Sequence, residues 1–357
     1  MASQTDLGPT PFIYMDTTTK TMLTLLRASL NSQEPSLPLI DTDEWERLFW
    51  LARKHGVVTM VNDAIELLPP ELQPQGDIAL SWTLSAERTR YHFNHQQQVL
   101  QLIDQKANAE GLSYILLKGI SLARLYPHPD SRPCGDIDIC FPNNYDRGNI
   151  LLGCPEAKIE GKHSETEIDG VTIENHLQLL DLHYRSQRRA ERFIWNEIEH
   201  SSNGHFLSPR GNMVYLLMHT VSHLTAKYKL PLRNILDWGM FLRANRDTLN
   251  PKECHKVMQR IGMDEAFEIL TQISSEFIGT DLSMFIQSSL RQNDVERMQE
   301  LILTKKYLDP VPHGLPLPKY ILARMRRNRQ RRWIYRYLPS TRPERICNII
   351  IRIFKKD

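Results

Sequence analysis

An apolar run, Tyr114 to Leu117, ends in Lys118-Gly119, and a second run beyond it, Ile137 to Phe141, carries Asp138 inside and Asp136 at its lip. In an extended strand, residues two apart project from one face, so both carboxylates point into the same small volume beside the glycine turn. Like charges held that close repel unless a cation stands between them. The combination predicts a divalent-metal site next to a phosphate-binding turn.

The chemistry such a site serves is transfer of a phosphorus-containing group. Moving a nucleotidyl or phosphoryl group requires neutralised triphosphate charge and an activated hydroxyl, which two oxygen-ligated Mg²⁺ ions can supply, with Mn²⁺ a substitute. Mg²⁺ favours carboxylates plus substrate phosphates over an all-protein cage. A third carboxylate on a neighbouring strand would complete the set. Asp181, in the strand-like run Leu177 to Tyr184, is the candidate. Gly119 lets the backbone approach a phosphate and opens a helix whose amides favour anions, while Lys118 and Ser121 could add donors. Arg132, just before the metal strand, could meet triphosphate oxygens bidentately. Taken alone, Lys-Gly is a plain strand-to-helix turn and Asp-Ile-Asp an edge strand with one solvated face.

These residues need elements to hold them. Apolar spacing predicts helices over Lys20 to Leu30, Glu44 to His55, Val57 to Leu68 and Ile78 to Ala107, with Asp41 or Asp43 capping the second and Pro69-Pro70 ending the third. Short apolar runs bounded by Gly and Pro then replace them. A short helix follows Pro142, and the runs 156–161, 166–169, 171–175 and 177–184 suggest an antiparallel meander. Helical spacing returns in Met213 to Lys227, Leu232 to Asn245, Pro251 to Ile261, Met263 to Phe277 and Asp294 to Leu303. The expected plan is α+β: a small mixed or antiparallel sheet core at 106–205 between helical regions at 1–105 and 206–308. Residues 309–357 form a Pro-rich linker and a basic amphipathic tail.

Bulk composition narrows the class. Across 357 residues, 41% are hydrophobic and 24% charged, ordinary for a globular chain, and a net charge of +2 gives no strongly charged surface overall. Five scattered cysteines without a C-x-x-C pair fit a reducing compartment. No run approaches the roughly 18 apolar residues of a spanning helix, and no secretory leader is evident, so a cytoplasmic location is expected.

The order of apolar strand, glycine, helix and then Gly135-Asp-Ile-Asp-Ile139 resembles the DNA polymerase β-like nucleotidyltransferase superfamily. More narrowly, Leu116-Leu-Lys-Gly119, Tyr126-Pro127, Arg132-Pro133, the Asp-Ile-Asp strand and Asp181-Leu-His-Tyr184 are similar to an uncharacterised nucleotidyltransferase family of bacterial gene clusters. That resemblance implies a minimal mixed-sheet transferase core, two metals on Asp136 and Asp138, and Asp181 as the third carboxylate. The substrate would be a nucleoside triphosphate, ATP among them, whose monophosphate passes to a hydroxyl acceptor. The acceptor is a small molecule, a sugar, a protein or RNA. Lys118-Gly119-Ile120 stands where the superfamily has Gly-Gly or Gly-Ser, with Ser121 one place late. A catalytically inactive protein of this fold, sensing nucleotide or binding a partner, is therefore the second reading.

Other residues invite chemistry less strongly. His219 and His223 share a helix face at i and i+4, half of a zinc site, although Thr220 occupies the position where a zinc protease needs Glu. His183, beside Asp181, alternates to the opposite face. Arg233 and Asp237 are spaced for an intrahelical ion pair, while the resemblance implies a second reading in which this helix closes over the nucleotide. The cluster Arg324, Arg326, Arg327, Arg329, Arg331, Arg332 and Arg336, interleaved with Trp333, Tyr335 and Tyr337, suits an anionic surface or a solvated helix face. The segment Ile346 to Phe354 is amphipathic but short for an anchor.

Overall fold

The structure, a computed structural model, describes residues 15–159, 161–201, 204–226, 230–288, 290–304, 316–330 and 332–339. Local chemistry starts the N-terminal helices where the sequence predicts. Asp16 caps α1 (Thr17–Asn31) by accepting from the Thr19 amide at 2.7 Å, and Asp41 caps α2 (Thr42–His55) through the Glu44 amide. Helix α3 (Val58–Ile65) stops before Pro69-Pro70, and α4 (Gly76–Ala109) runs unbroken for 34 residues into the sheet.

Six strands form one mixed sheet: β1 (Ile115–Leu116), β2 (Ile137–Cys140), β3 (His163–Ile168), β4 (Val171–His176), β5 (Ile198–Ser201) and β6 (Gly204–Leu207). Their order is β3-β4-β2-β1-β6-β5. Strand β2 lies antiparallel to β1 and parallel to β4, while β1 lies parallel to β6. The central strand β2 is buried on both faces, as expected of a strand covered by helices. Ile137 and Ile139 pack with Phe93, Leu100, Ile103 and Ile173, so Asp138 projects from the other face.

The expected meander is corrected. Only the hairpin β3–β4 forms in that region; 156–159 and 177–184 are not strands. The alternation of Leu177 to Tyr184 imitates a strand, yet the amides of Leu179 and Leu180 donate to the Glu191 carboxylate at 2.9 and 2.8 Å. A side chain thus takes the donors that a sheet ladder would use. Glu191 belongs to α7 (Arg185–Asn196), which, like the hairpin β5–β6, is not among the elements expected above.

Beyond the sheet come α8 (Pro209–Ala226), α9 (Leu232–Ala244), α10 (Pro251–Ile261), α11 (Asp264–Ile278) and α12 (Gln292–Thr304). They share one apolar core with the N-terminal helices, including Met22, Leu26, Trp238, Phe267 and Ile278. Arg27 donates to the Glu276 carbonyl and Asn31 to that of Ile278, fastening α1 to α11. Helix α13 (Leu317–Gln330) follows. Among the described residues no helix is long and apolar enough to cross a membrane. Of the arginine cluster, Arg336 pairs with Glu265 at 2.5 Å, whereas Arg326, Arg329 and Arg332 are exposed. Arg331, residues 309–315 of the linker and the segment 346–354 lie outside the described residues.

Candidate active site

Strand β2 delivers Asp138 to the floor of a cavity of about 240 Å³, with Asp136 at its lip. The parallel register sets Glu174 of β4 opposite Asp138, and a metal-binding atom from each of Asp136, Asp138 and Glu174 lies within 4.8 Å of the others. The carboxylate that the fold brings beside Asp136 and Asp138 is thus that of Glu174. Asp181 is exposed on the connection after β4 and joins no such group among the described residues.

Lys118 stands between the carboxylates. Its Nζ is 2.8 Å from Asp138 Oδ1 and 3.8 Å from Asp136 Oδ2. Burial alone would push the ammonium pKa down, but the charges of Asp138 and Asp136 outweigh it and raise the value. Asp136 is shifted up, first by burial and then by the Asp138 charge. Asp138 is buried still more deeply, yet hydrogen bonding to His176 and the Lys118 charge hold its carboxyl well below the usual range. Glu174 is likewise held low against its burial, chiefly by His176.

His176, fully buried at the end of β4, was not anticipated. Its Nε2 lies 2.9 Å from Asp138 Oδ1 and 3.3 Å from Glu174 Oε2, and its Nδ1 is 3.3 Å from the Gln178 carbonyl. Burial disfavours its charged form, but the hydrogen bonds to Asp138 and Glu174 prevail and raise its pKa. The sequence signal for it is Glu174-Asn-His176, whose alternate residues share a strand face, and Asp181-Leu-His183 has the same spacing.

Gly119 makes the turn that brings Lys118 here, at φ +65° and ψ −115°, a conformation costly for other residues. A Cβ on Gly119 would lie 3.5 Å from the Asp136 carbonyl and 3.9 Å from Asp138 Oδ2. The helix that follows, α5 (Ile120–Ala123), is a single turn, and the Ser121 and Leu122 amides donate back to Lys118 and Gly119 carbonyls. The expected anion site at its start is therefore much reduced. Ser121 is buried and its hydroxyl donates to the Leu117 carbonyl, so it does not line the cavity.

Arg132 reaches the cavity wall but spends its guanidinium elsewhere. Its Nε and Nη2 each donate to Asp237 at 2.7 Å, and Tyr126 donates to the same carboxylate at 2.7 Å. This replaces the expected Arg233–Asp237 pair: Arg233 instead donates to the Pro133 carbonyl at 3.0 Å and lines the cavity half-buried. His219 and His223 line it too, their Nε2 atoms 3.2 Å apart. Burial, the Lys118 charge and His223 hold His219 far below the ordinary histidine value, leaving it neutral. No third metal-binding side chain groups with them among the described residues, so there they stand as a pair.

The residues at the floor fit a hard divalent cation. Asp138 Oδ2 is buried without a hydrogen-bond partner, the donors are carboxylate oxygens, and the Lys118 ammonium already shows that positive charge is accommodated there. A family described as uncharacterised nucleotidyltransferases matches residues 41–279. The chain belongs to that family. No curated protein and no solved structure matches it at a significant level. The matched span runs from the cap of α2 through α11, and so contains the whole sheet and every cavity residue described above.

Proposed function

We propose that the protein is a Mg²⁺-dependent nucleotidyltransferase that moves a nucleoside monophosphate from a triphosphate to a hydroxyl acceptor. The observation that carries this reading is the convergence of Asp136, Asp138 and Glu174 within 4.8 Å of one another, with Lys118 against the two aspartates, beside a cavity that both aspartates and Lys118 line, inside a nucleotidyltransferase-family chain.

Asp136, Asp138 and Glu174 would hold the divalent cation. When bound, it supplies charge neutralisation for the triphosphate and polarisation at the α-phosphorus. Lys118 and Arg233 offer the remaining positive charge along the cavity for phosphate oxygens. Gly119 keeps space beside Asp138 that any side chain would fill. Arg132, tied to Asp237, positions the 132–135 loop against α9. In the transfer, the acceptor oxygen bonds to the α-phosphorus as the bond to the bridging oxygen breaks, and pyrophosphate leaves. The hydroxyl proton passes to Asp136, the most exposed of the three carboxylates at 35%, against 0% for Asp138 and 16% for Glu174.

A second reading, nucleotide binding without transfer, draws support from Ser121 and from the single-turn α5, which leave the phosphate side lightly furnished. Incubating the protein with α-labelled triphosphates, Mg²⁺ and a panel of hydroxyl acceptors separates the two. Label moved to an acceptor by the wild type but not by Asp138→Asn supports transfer. Metal-dependent binding without any transfer favours the second reading.

A further inference from the structure

We infer that His176 is a positioning residue that aims Asp138 and Glu174 at the cation, an inference that rests on the metal site proposed above. The argument begins with hydrogen-bond arithmetic. An ionised carboxylate only accepts, so the hydrogen between His176 Nε2 and Asp138 Oδ1, 2.9 Å apart, belongs to the imidazole. His176 stands behind the carboxylate, off the cavity lining, where it can orient Asp138. The same nitrogen lies 3.3 Å from Glu174 Oε2, so one edge of the ring faces both carboxylates.

On its far side the ring is anchored. Nδ1 faces the Gln178 carbonyl at 3.3 Å, and the amides of Leu177 and Gln178 both donate to the Lys162 carbonyl, which fixes that carbonyl at the end of the β3–β4 hairpin. His163, paired with His176 in register, packs its ring edge-on at 5.1 Å. With the side chain wholly buried, the imidazole has little room to turn.

The consequence is a choice of oxygen. Asp138 Oδ1 is occupied by His176 and Lys118, and Oδ2 is left buried, unpartnered and closest to the Gly119 turn. His176 thus decides which oxygen of Asp138 remains for a cation, and holds Glu174 within reach of the same point. Outer-shell donors of this kind typically alter metal affinity by about 10- to 100-fold when removed.

The test is Mn²⁺ titration of the full chain followed by electron paramagnetic resonance, with thermal unfolding measured in parallel. His176→Ala is expected to weaken Mn²⁺ binding about 10- to 100-fold at temperatures well below its unfolding midpoint. His176→Gln, which keeps one donor, loses less. A folded His176→Ala that binds Mn²⁺ like the wild type overturns the inference, as do Ala and Gln variants that are equally impaired. Should His176→Ala fail to fold, His176→Leu, which keeps volume but no donor, is titrated in its place, and wild-type affinity there overturns it. Asp138→Asn tells the two levels apart: if it binds Mn²⁺ as tightly as the wild type, the metal site itself is wrong, whereas loss there with no change at His176 removes only the role of His176.

Discussion

Glu174 sits directly opposite Asp138 in the parallel pairing of β4 with β2. Two strands far apart in the chain thereby present carboxylates at one height on one sheet face, and the site is a property of the pairing rather than of either strand. Glu174→Gln should therefore reduce Mn²⁺ affinity at least about tenfold, or about 1.4 kcal/mol, while Asp181→Asn leaves it unchanged. Calorimetric titration of both variants checks this; equal losses would return Asp181 to the site.

Lys118 gives opposite effects on two ligands. Its ammonium offsets the negative charge of Asp138 that a cation at Oδ2 would draw on, and it also lines the cavity as a positive charge for a triphosphate. Lys118→Met is expected to bind Mn²⁺ more tightly than the wild type in the absence of nucleotide and a triphosphate more weakly in its presence. Both affinities moving the same way would contradict this arrangement.

The Arg132–Asp237 pair is buried and bidentate. Removing one partner strands the other, so Arg132→Ala should cost about 3–5 kcal/mol of unfolding free energy in urea. The double variant Arg132→Met/Asp237→Leu should recover much of that loss, because no buried charge is left alone. A cost under about 1 kcal/mol for the single change would place the pair in solvent.

How much of this was legible in sequence follows from distance along the chain. Asp136, Asp138, Lys118 and Gly119 could be read together because strand alternation and a glycine turn are local rules. Glu174 and His176 could not, since their place depends on β4 choosing β2 as a parallel neighbour, and Asp181-Leu-His183 offered the same residue pattern on a segment whose amides Glu191 takes. Arg132 looked like a phosphate ligand for lack of any sign that Asp237, 105 residues on, would claim it. The flanking helices are readable from caps and apolar spacing, and α7 carries the same kind of signal, with Ala190 and Ile194 buried four apart among its arginines, whereas the four-residue strands of the β5–β6 hairpin are too short to show a period.

Acidification should weaken cation binding. The Asp136 carboxyl is shifted upward by burial and by Asp138, so it takes a proton at a pH where an ordinary carboxylate is still ionised. Protons then compete with the metal, and Mn²⁺ affinity falls as pH drops through the Asp136 value. The same raised pKa means that Asp136 contributes to stability below its unfolded pKa and loses that contribution as pH rises through the folded one. Asp136→Asn should therefore raise the unfolding temperature of the metal-free protein at neutral pH while abolishing Mn²⁺ binding.

Cys140 provides an independent check on the packing beneath the site. Burial, followed by the Glu191 charge, pushes its thiol up to about 12. At pH 8 it should resist iodoacetamide in the native protein, while half-buried Cys154 reacts first; peptide mass spectrometry reads both. Rapid labelling of Cys140 would mean that the β2 face is open.

The central claim is that three carboxylates and a metal together receive a triphosphate. Calorimetry with a non-hydrolysable nucleoside triphosphate, with and without Mg²⁺, tests it most directly. The account predicts binding by the wild type that depends on Mg²⁺ and disappears in Asp138→Asn. Binding of equal strength without Mg²⁺, or retained in Asp138→Asn, would contradict it.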